Sequence, residues 1–233
     1  YGVVTGLANL QWHFAYNSSY FGLAAIFSMS FLGGQSLHTT TGFIAAVLCI
    51  WALHHLKDFF NHKRHIADMC CMGILLYALV NITGSISPAS DYATMFLSLY
   101  LIARWAEEIE SEPKDITTYC LLSILAVYIF TLKLSAGLLV LLVIYPAIFL
   151  IKEKRGKEIT TYLTLGILTV LPFLIRNVII SGWLLYPFSA LDLFSVDWKL
   201  PVQYVNIDSA QIKVWARCLY DPKLIDMPFL EWL

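Results

Sequence analysis

Lys133 and Arg176 are the residues whose type and placement first suggest chemistry. Lys133 sits in Thr131-Leu132-Lys133-Leu134-Ser135, between the uncharged runs Ile116–Leu132 and Leu134–Ile151. A charge carried to bilayer depth costs on the order of 3 kcal/mol on insertion scales. Lys133 therefore either snorkels to an interface or holds an anion. Arg176 follows an apolar run containing Pro172 and precedes Asn177. Its guanidinium is a planar fork suited to phosphate oxygens, although a snorkelling interfacial arginine fits the same position. Pro172 frees a backbone carbonyl and is expected to bend the helix. Together the two cations outline a site for a lipid phosphate.

Asp91 closes Ser85-Ile86-Ser87-Pro88-Ala89-Ser90-Asp91 just before another apolar run. Such a residue caps a helix by accepting its first free N–H groups, or it serves as a base or as a ligand to a sugar hydroxyl or metal. His13, Tyr16 and Asn17 form a polar-aromatic patch in Trp12-His13-Phe14-Ala15-Tyr16-Asn17. Rings stack on the CH faces of sugars while amides bond hydroxyls, and interfacial anchoring explains the aromatics equally well. His54, His55, His62 and His65 lack the accompanying Cys/His spacing of a zinc site, so no metal is assigned to them. No Gly-rich phosphate loop, nucleophile elbow or HExxH helix is present, which argues against soluble-type ATPase or protease chemistry.

Hydrophobic residues make up 59% of the chain and charged residues 13%, against about 25% charged in an ordinary soluble domain. Between Asp115 and Arg176 the charges are confined to Lys133 and the run Lys152, Glu153, Lys154, Arg155, Lys157 and Glu158. Uncharged stretches of this length cross a hydrocarbon core of roughly 30 Å as helices. The expected fold is all-α, a polytopic helical membrane protein with spans near Leu37–Leu56, Ala67–Thr83, Tyr92–Ala106, Ile116–Leu132, Ser135–Ile151 and Ile159–Ile180. Residues 1–36 read as an outer loop with an interfacial or re-entrant helix near Ser19–Leu32, residues 37–180 as the six-span domain, and 181–233 as an outer loop or the start of a further module.

Alternate loops carry eight basic residues, Lys57, Lys63, Arg64, Lys114, Lys152, Lys154, Arg155 and Lys157, whereas the opposite loops before the tail hold Lys133 and Arg176. The positive-inside rule puts the richer set in the cytoplasm and both ends of the chain outside. Trp51, Trp105 and Trp183 are placed as interfacial belt residues. A formal charge of −1 without a basic stripe argues against nucleic acid. The five cysteines make no disulfide framework, since Cys49, Cys70, Cys71 and Cys120 lie in apolar segments and Cys218 alone in a polar one. The chain starts at Tyr1 without Met or a basic leader, so it reads as a piece of a longer protein.

Four ordered segments resemble the GT-C class of polytopic glycosyltransferases, particularly those of bacterial envelope polysaccharides. They are Gly2–Ser19, with its GL.NL and FNSS-like pieces; Ser85–Asp91; Lys133–Ser135; and Arg176–Pro187, with RN, SG and LYP. The resemblance implies a bacterial inner-membrane enzyme taking a sugar from a polyprenyl-phosphate donor to a glycan or lipid acceptor, in contact with membrane lipids. It implies Lys133 and Arg176 on the lipid phosphate and His13, Tyr16, Asn17, Asn177 and Tyr186 on substrate. No cofactor is assigned, and a divalent metal is left open. Such enzymes resemble one another in using a first-loop carboxylate as base. Tyr1–Gln35 contains no carboxylate, so the base is expected upstream of this chain, with Asp91 the candidate within it. A transporter or flippase of lipid-linked saccharide is the alternative, because the same outer cations would grip a lipid diphosphate.

Overall fold

Every regular element of the computed structural model is helical, and no strand occurs among the described residues, which are 4–27, 39–57, 59, 66–83, 89–111, 115–216 and 228. Lys63, Arg64, Lys114, His62, His65, Ser85–Pro88, Cys218 and most of the tail after Ala216 lie outside them. The α-helices are α1 (Ser19–Phe27), α2 (Thr39–Leu56), α3 (Ile66–Val80), α4 (Ser90–Glu110), α5 (Ile116–Leu132), α6 (Ile144–Lys152), α7 (Gly156–Ser181) and α8 (Val202–Ala216). A 3-10 helix, Leu134–Val143, runs directly into α6. Each apolar run of the sequence is thus helical, with its ends displaced by a few residues.

Two helical stretches, Leu134–Lys152 and Gly156–Ser181, are long and apolar enough to cross a membrane. The first gains reach from its winding. Ten 3-10 residues at about 2.0 Å rise and nine α residues at about 1.5 Å extend roughly 34 Å, whereas an all-α segment of the same length would reach about 29 Å. Pro146 falls in the third position of the α part, just after the change of winding. These stretches are only 11% and 17% buried within the structure, so many of their leucines and isoleucines face outward. The core helix of a water-soluble domain would be covered. Helix α7 continues through Pro172 to Ser181 as one element.

The chain divides into two compact units, residues 18–170 and residues 1–17 with 171–233. In the larger unit α2, α3 and α4 close on a core of Ala45, Leu48, Ala52, Cys71, Ile74, Phe96 and Ala103. Small side chains at the contacts let the backbones approach. Helix α1 packs into the unit, with Tyr20 and Ala24 buried against Ala93 and Leu132. It starts at Ser18, whose hydroxyl accepts the Tyr20 N–H at 3.1 Å and donates to the Leu132 carbonyl at 2.7 Å. Helix α4 runs past the expected limit of Ala106 into an acidic last turn, an end where the helix dipole disfavours carboxylates. Those acids bond the N–H groups that open neighbouring helices. Glu110 accepts from Ile66 N at 2.8 Å, and Glu108 from Asp115 N at 2.7 Å. Asp115 in turn caps α5 by accepting from Thr117 N and Thr118 Oγ1, both at 2.9 Å, and these bonds hold its carboxyl below the ordinary range.

Burial separates the side chains that hold this unit together from those that coat it. Phe96 is 1% exposed and Ile50 is 67% exposed. Phe96→Ala is expected to destabilise the detergent-solubilised chain by about 3–5 kcal/mol, while Ile50→Ala stays within about 0.5 kcal/mol. Unfolding midpoints in a single detergent check the contrast, and equal losses would contradict this account of the core.

Candidate functional site

The smaller unit is framed by backbone contacts between its N-terminal strip, the end of α7 and the segment before α8. Gly6, at φ 68°, donates its N–H to the Ile179 carbonyl at 2.9 Å, and a Cβ there would lie 2.8 Å from Trp198 Cβ. Gly182, at φ 76°, passes so close that a Cβ would stand 2.7 Å from Lys199 Cα. Only glycine suits both the positive φ and the close approach. Asn9 Nδ2 donates to the Trp198 carbonyl at 2.7 Å, and Trp198 Nε1 to the Val178 carbonyl at 3.1 Å. Ser181 Oγ donates to the Asn177 carbonyl at 2.8 Å and accepts from Trp183 N at 3.2 Å. Many of the small and polar motif residues of the sequence are therefore scaffold.

Inside this frame a carboxyl group is buried. Asp208 on α8 is 0% exposed. The Tyr186 hydroxyl donates to its Oδ2, and the Tyr16 phenol lies close enough to feel its charge. His13 Nδ1 lies 3.5 Å from Oδ1. The rings form a chain: Trp12 stacks on Tyr204 at 5.1 Å, His13 on Tyr16 at 6.3 Å, and Tyr16 meets Tyr186 edge-on at 5.2 Å. Tyr204 and Asp208 are four residues apart and so share a face of α8, with Val205 buried beside them. Burial, then the charge of Asp208, raises the Tyr16 phenol well above its ordinary value. Burial, then the bond to Asp208 and its charge, then Tyr16, does the same for Tyr186. Both phenols therefore remain protonated.

Four buried side-chain atoms of this unit have no hydrogen-bond partner among the described residues: Trp12 Nε1, Asn17 Oδ1, Arg176 Nε and Asp208 Oδ1. Buried polar groups are nearly always bonded, so each such atom calls for an explanation. Two are donors and two acceptors, the mixture a polyol or a phosphate ester would meet. Of the residues singled out from the sequence, His13, Tyr16 and Tyr186 gather around Asp208. Asn17 donates to the Phe173 carbonyl at 3.1 Å, one helical turn before Arg176. Asn177 is 2% exposed and donates to the Leu184 carbonyl at 2.9 Å, tying α7 to the turn that follows. Trp183, expected at an interface, is 2% exposed and donates to the Leu200 carbonyl at 2.9 Å.

In the larger unit Lys133 and Asp91, read separately from the sequence, form an ion pair. Lys133 follows the last residue of α5 and Asp91 lies in the first turn of α4. The pair is about half exposed, so it is worth no more than about 1 kcal/mol. A phosphate could exchange with the carboxylate at Lys133. His55 Nε2 lies 3.4 Å from buried Asp68 Oδ1. Among the described residues no three His, Cys, Asp or Glu gather as a metal set.

Asp208 was not reached from the sequence because the tail reads as an open loop. The spacing Tyr204, Val205, Asp208, Ile212 carries a helical face that would have pointed to it.

These features define an all-helical protein with two helices fit to cross a membrane and a ring-lined buried carboxyl. The chain belongs to the family described as "Domain of unknown function (DUF8201)", which matches residues 1–233. No curated protein and no solved structure matches it.

A phenol whose value is raised on folding favours the folded chain fully below the ordinary tyrosine value of about 10, and that contribution is lost as pH rises through the raised value. Thermal midpoints should fall above pH ~10, and less steeply in Tyr16→Phe and Tyr186→Phe. At pH 7, Tyr186→Phe should cost about 1–3 kcal/mol, because Asp208 loses a donor in a buried setting. An alkaline profile unchanged by either substitution would contradict this account of Asp208.

Proposed function

We propose that this chain is the membrane-embedded portion of a glycosyltransferase that moves a sugar from a polyprenyl-phosphate donor to a glycan or lipid acceptor on the outer face of a bacterial inner membrane. The observation that carries the reading is buried Asp208, bonded by Tyr186 on one side, with Tyr16 nearby, and left with an open oxygen beside His13. Aromatic rings flanking a carboxyl acceptor suit a sugar, whose CH faces stack while its hydroxyls donate. Exposed Tyr16 and His13 rings give that ligand a way to the carboxyl. The resemblance of the surrounding motifs to GT-C enzymes supports the same class.

In the proposed reaction the acceptor oxygen bonds to the anomeric carbon as the bond from that carbon to the phosphate oxygen breaks. The acceptor proton passes to a carboxylate and the electron pair leaves with the lipid phosphate. A cation suited to stabilise that leaving group is Arg176, with an unpartnered Nε, or alternatively Lys133 on exchanging Asp91 for phosphate. Asp208 orients sugar hydroxyls. Within this chain the candidate base is Asp91.

The test uses the full-length protein in proteoliposomes with a polyprenyl-phosphate sugar and acceptor. Asp208→Asn and Arg176→Ala should each lower transfer by about 100-fold, of the order seen for single stabilising donors, while the protein still accumulates in membranes. Wild-type turnover in both variants would remove the site. Donor binding without transfer to any acceptor would favour the saccharide transporter.

The proposed orientation gives a separate expectation. In cells expressing the chain without its native cysteines, an impermeant maleimide should label Gln203→Cys and spare Lys157→Cys, two exposed positions. The reverse pattern would invert the topology.

A further inference from the structure

We propose that the larger unit holds an anionic phospholipid, with one chain in a cavity between α5, α6 and α7 and its headgroup on the basic turn that joins α6 to α7. The cavity measures about 390 Å³, and its lining includes Val127, Val143, Leu150, Ile159, Gly166 and Val170. Its wall is almost wholly apolar, with Cys120, Ser123 and Tyr162 the side chains that bring polar atoms to it. The Ser123 hydroxyl, which also lines it, already donates to the Tyr119 carbonyl at 2.8 Å. A cavity without open polar partners stays dry or takes an apolar occupant.

Charge identifies the other end of that occupant. Leu150, Ile151 and Ile159 line the cavity and directly flank residues 152–158. In this turn Arg155 is engaged by Glu158 through a 2.6 Å contact. Lys152, Lys154 and Lys157 are exposed, form no ion pair among the described residues, and face only Glu153 as a remaining acid of the turn. Lys154 also occupies the left-handed position, at φ 54°, that ends α6: its N–H bonds the Ile151 carbonyl at 3.1 Å and that of Arg155 the Leu150 carbonyl at 3.0 Å. Glycine is the usual residue in this motif, and a side chain there costs roughly 1–2 kcal/mol. A cation is nonetheless present.

Length agrees with charge. From Ile159 to Val170 the helix rises roughly 16 Å, about half of a hydrocarbon core of ~30 Å. The cavity thus extends from the cationic turn by about one leaflet, the dimension of a single phospholipid chain under its headgroup. Basic pockets between membrane helices bind anionic lipid headgroups on the same electrostatic grounds.

This inference rests on the proposed membrane embedding and not on sugar transfer. Retention of the full chain in the membrane fraction is therefore scored first and tests the embedding by itself. Native mass spectrometry of the detergent-purified chain then compares dioleoyl phosphatidylglycerol with dioleoyl phosphatidylcholine. Phosphatidylglycerol should bind at least tenfold more tightly. The triple variant Lys152→Gln, Lys154→Gly, Lys157→Gln should abolish that preference and retain phosphatidylcholine binding. Gly166→Leu, at a position where an added Cβ meets nothing within 4 Å, should lower binding of both lipids with helix content by circular dichroism unchanged. Equal binding of the two lipids to the wild-type chain, or undiminished phosphatidylglycerol binding in Gly166→Leu, would overturn the proposal.

Discussion

A carboxyl group withdrawn from water carries a penalty of several kcal/mol unless donors replace its hydration. Asp208 imposes that requirement on the smaller unit, and much of the unit is arranged around it. Tyr186 follows the turn after α7 and Tyr16 lies in the N-terminal strip, so two parts of the chain far apart in sequence must meet one residue of α8. Gly6, Gly182 and Trp198 bring those parts within backbone contact. The glycines matter here because the hydroxyls they bring into place leave little room for a shift of the backbone.

The larger unit answers to a different demand. Many of its polar groups are engaged within the helical bundle, by carboxylates of α4 on the opening N–H groups of α3 and α5 and by hydroxyls folded back on their own helices. Little polarity is left on the flanks of Leu134–Lys152 and Gly156–Ser181, where exposed side chains are mostly leucine and isoleucine. That distribution accords with a lipid surround and is costly in water.

The helices were legible in the sequence because charge was so sparse that the lengths of uncharged runs marked them. Their ends were less so: α4 continues through Glu107, Glu108 and Glu110, because Glu107 pairs with Arg104 of the same helix while Glu108 and Glu110 accept N–H groups that open α5 and α3. Pairings between distant residues were out of reach. Lys133 and Asp91 lie 42 residues apart, and nothing local announces their ion pair. At the candidate site His13, Tyr16 and Tyr186 were recognised as a type of chemistry, while the group they surround was not. Asp208 lies in a stretch whose charges and prolines suggest a loop, and its burial depends on aromatic residues nearly the whole chain away. Trp183 shows the same limit, since an indole suited to an interface is equally suited to a core when a carbonyl such as that of Leu200 is in reach.

The 3-10 winding of Leu134–Val143 has a geometric result of its own. At three residues per turn, positions three apart fall in line along the axis, so Gly137, Val140 and Val143 stand in a straight row. Gly137 lies against Phe130, and the two valines form wall. Wound as an α-helix, the same positions would step around the axis by about 60° each time, and the row would become a spiral. The tighter helix turns one side of a rod into a straight furrow.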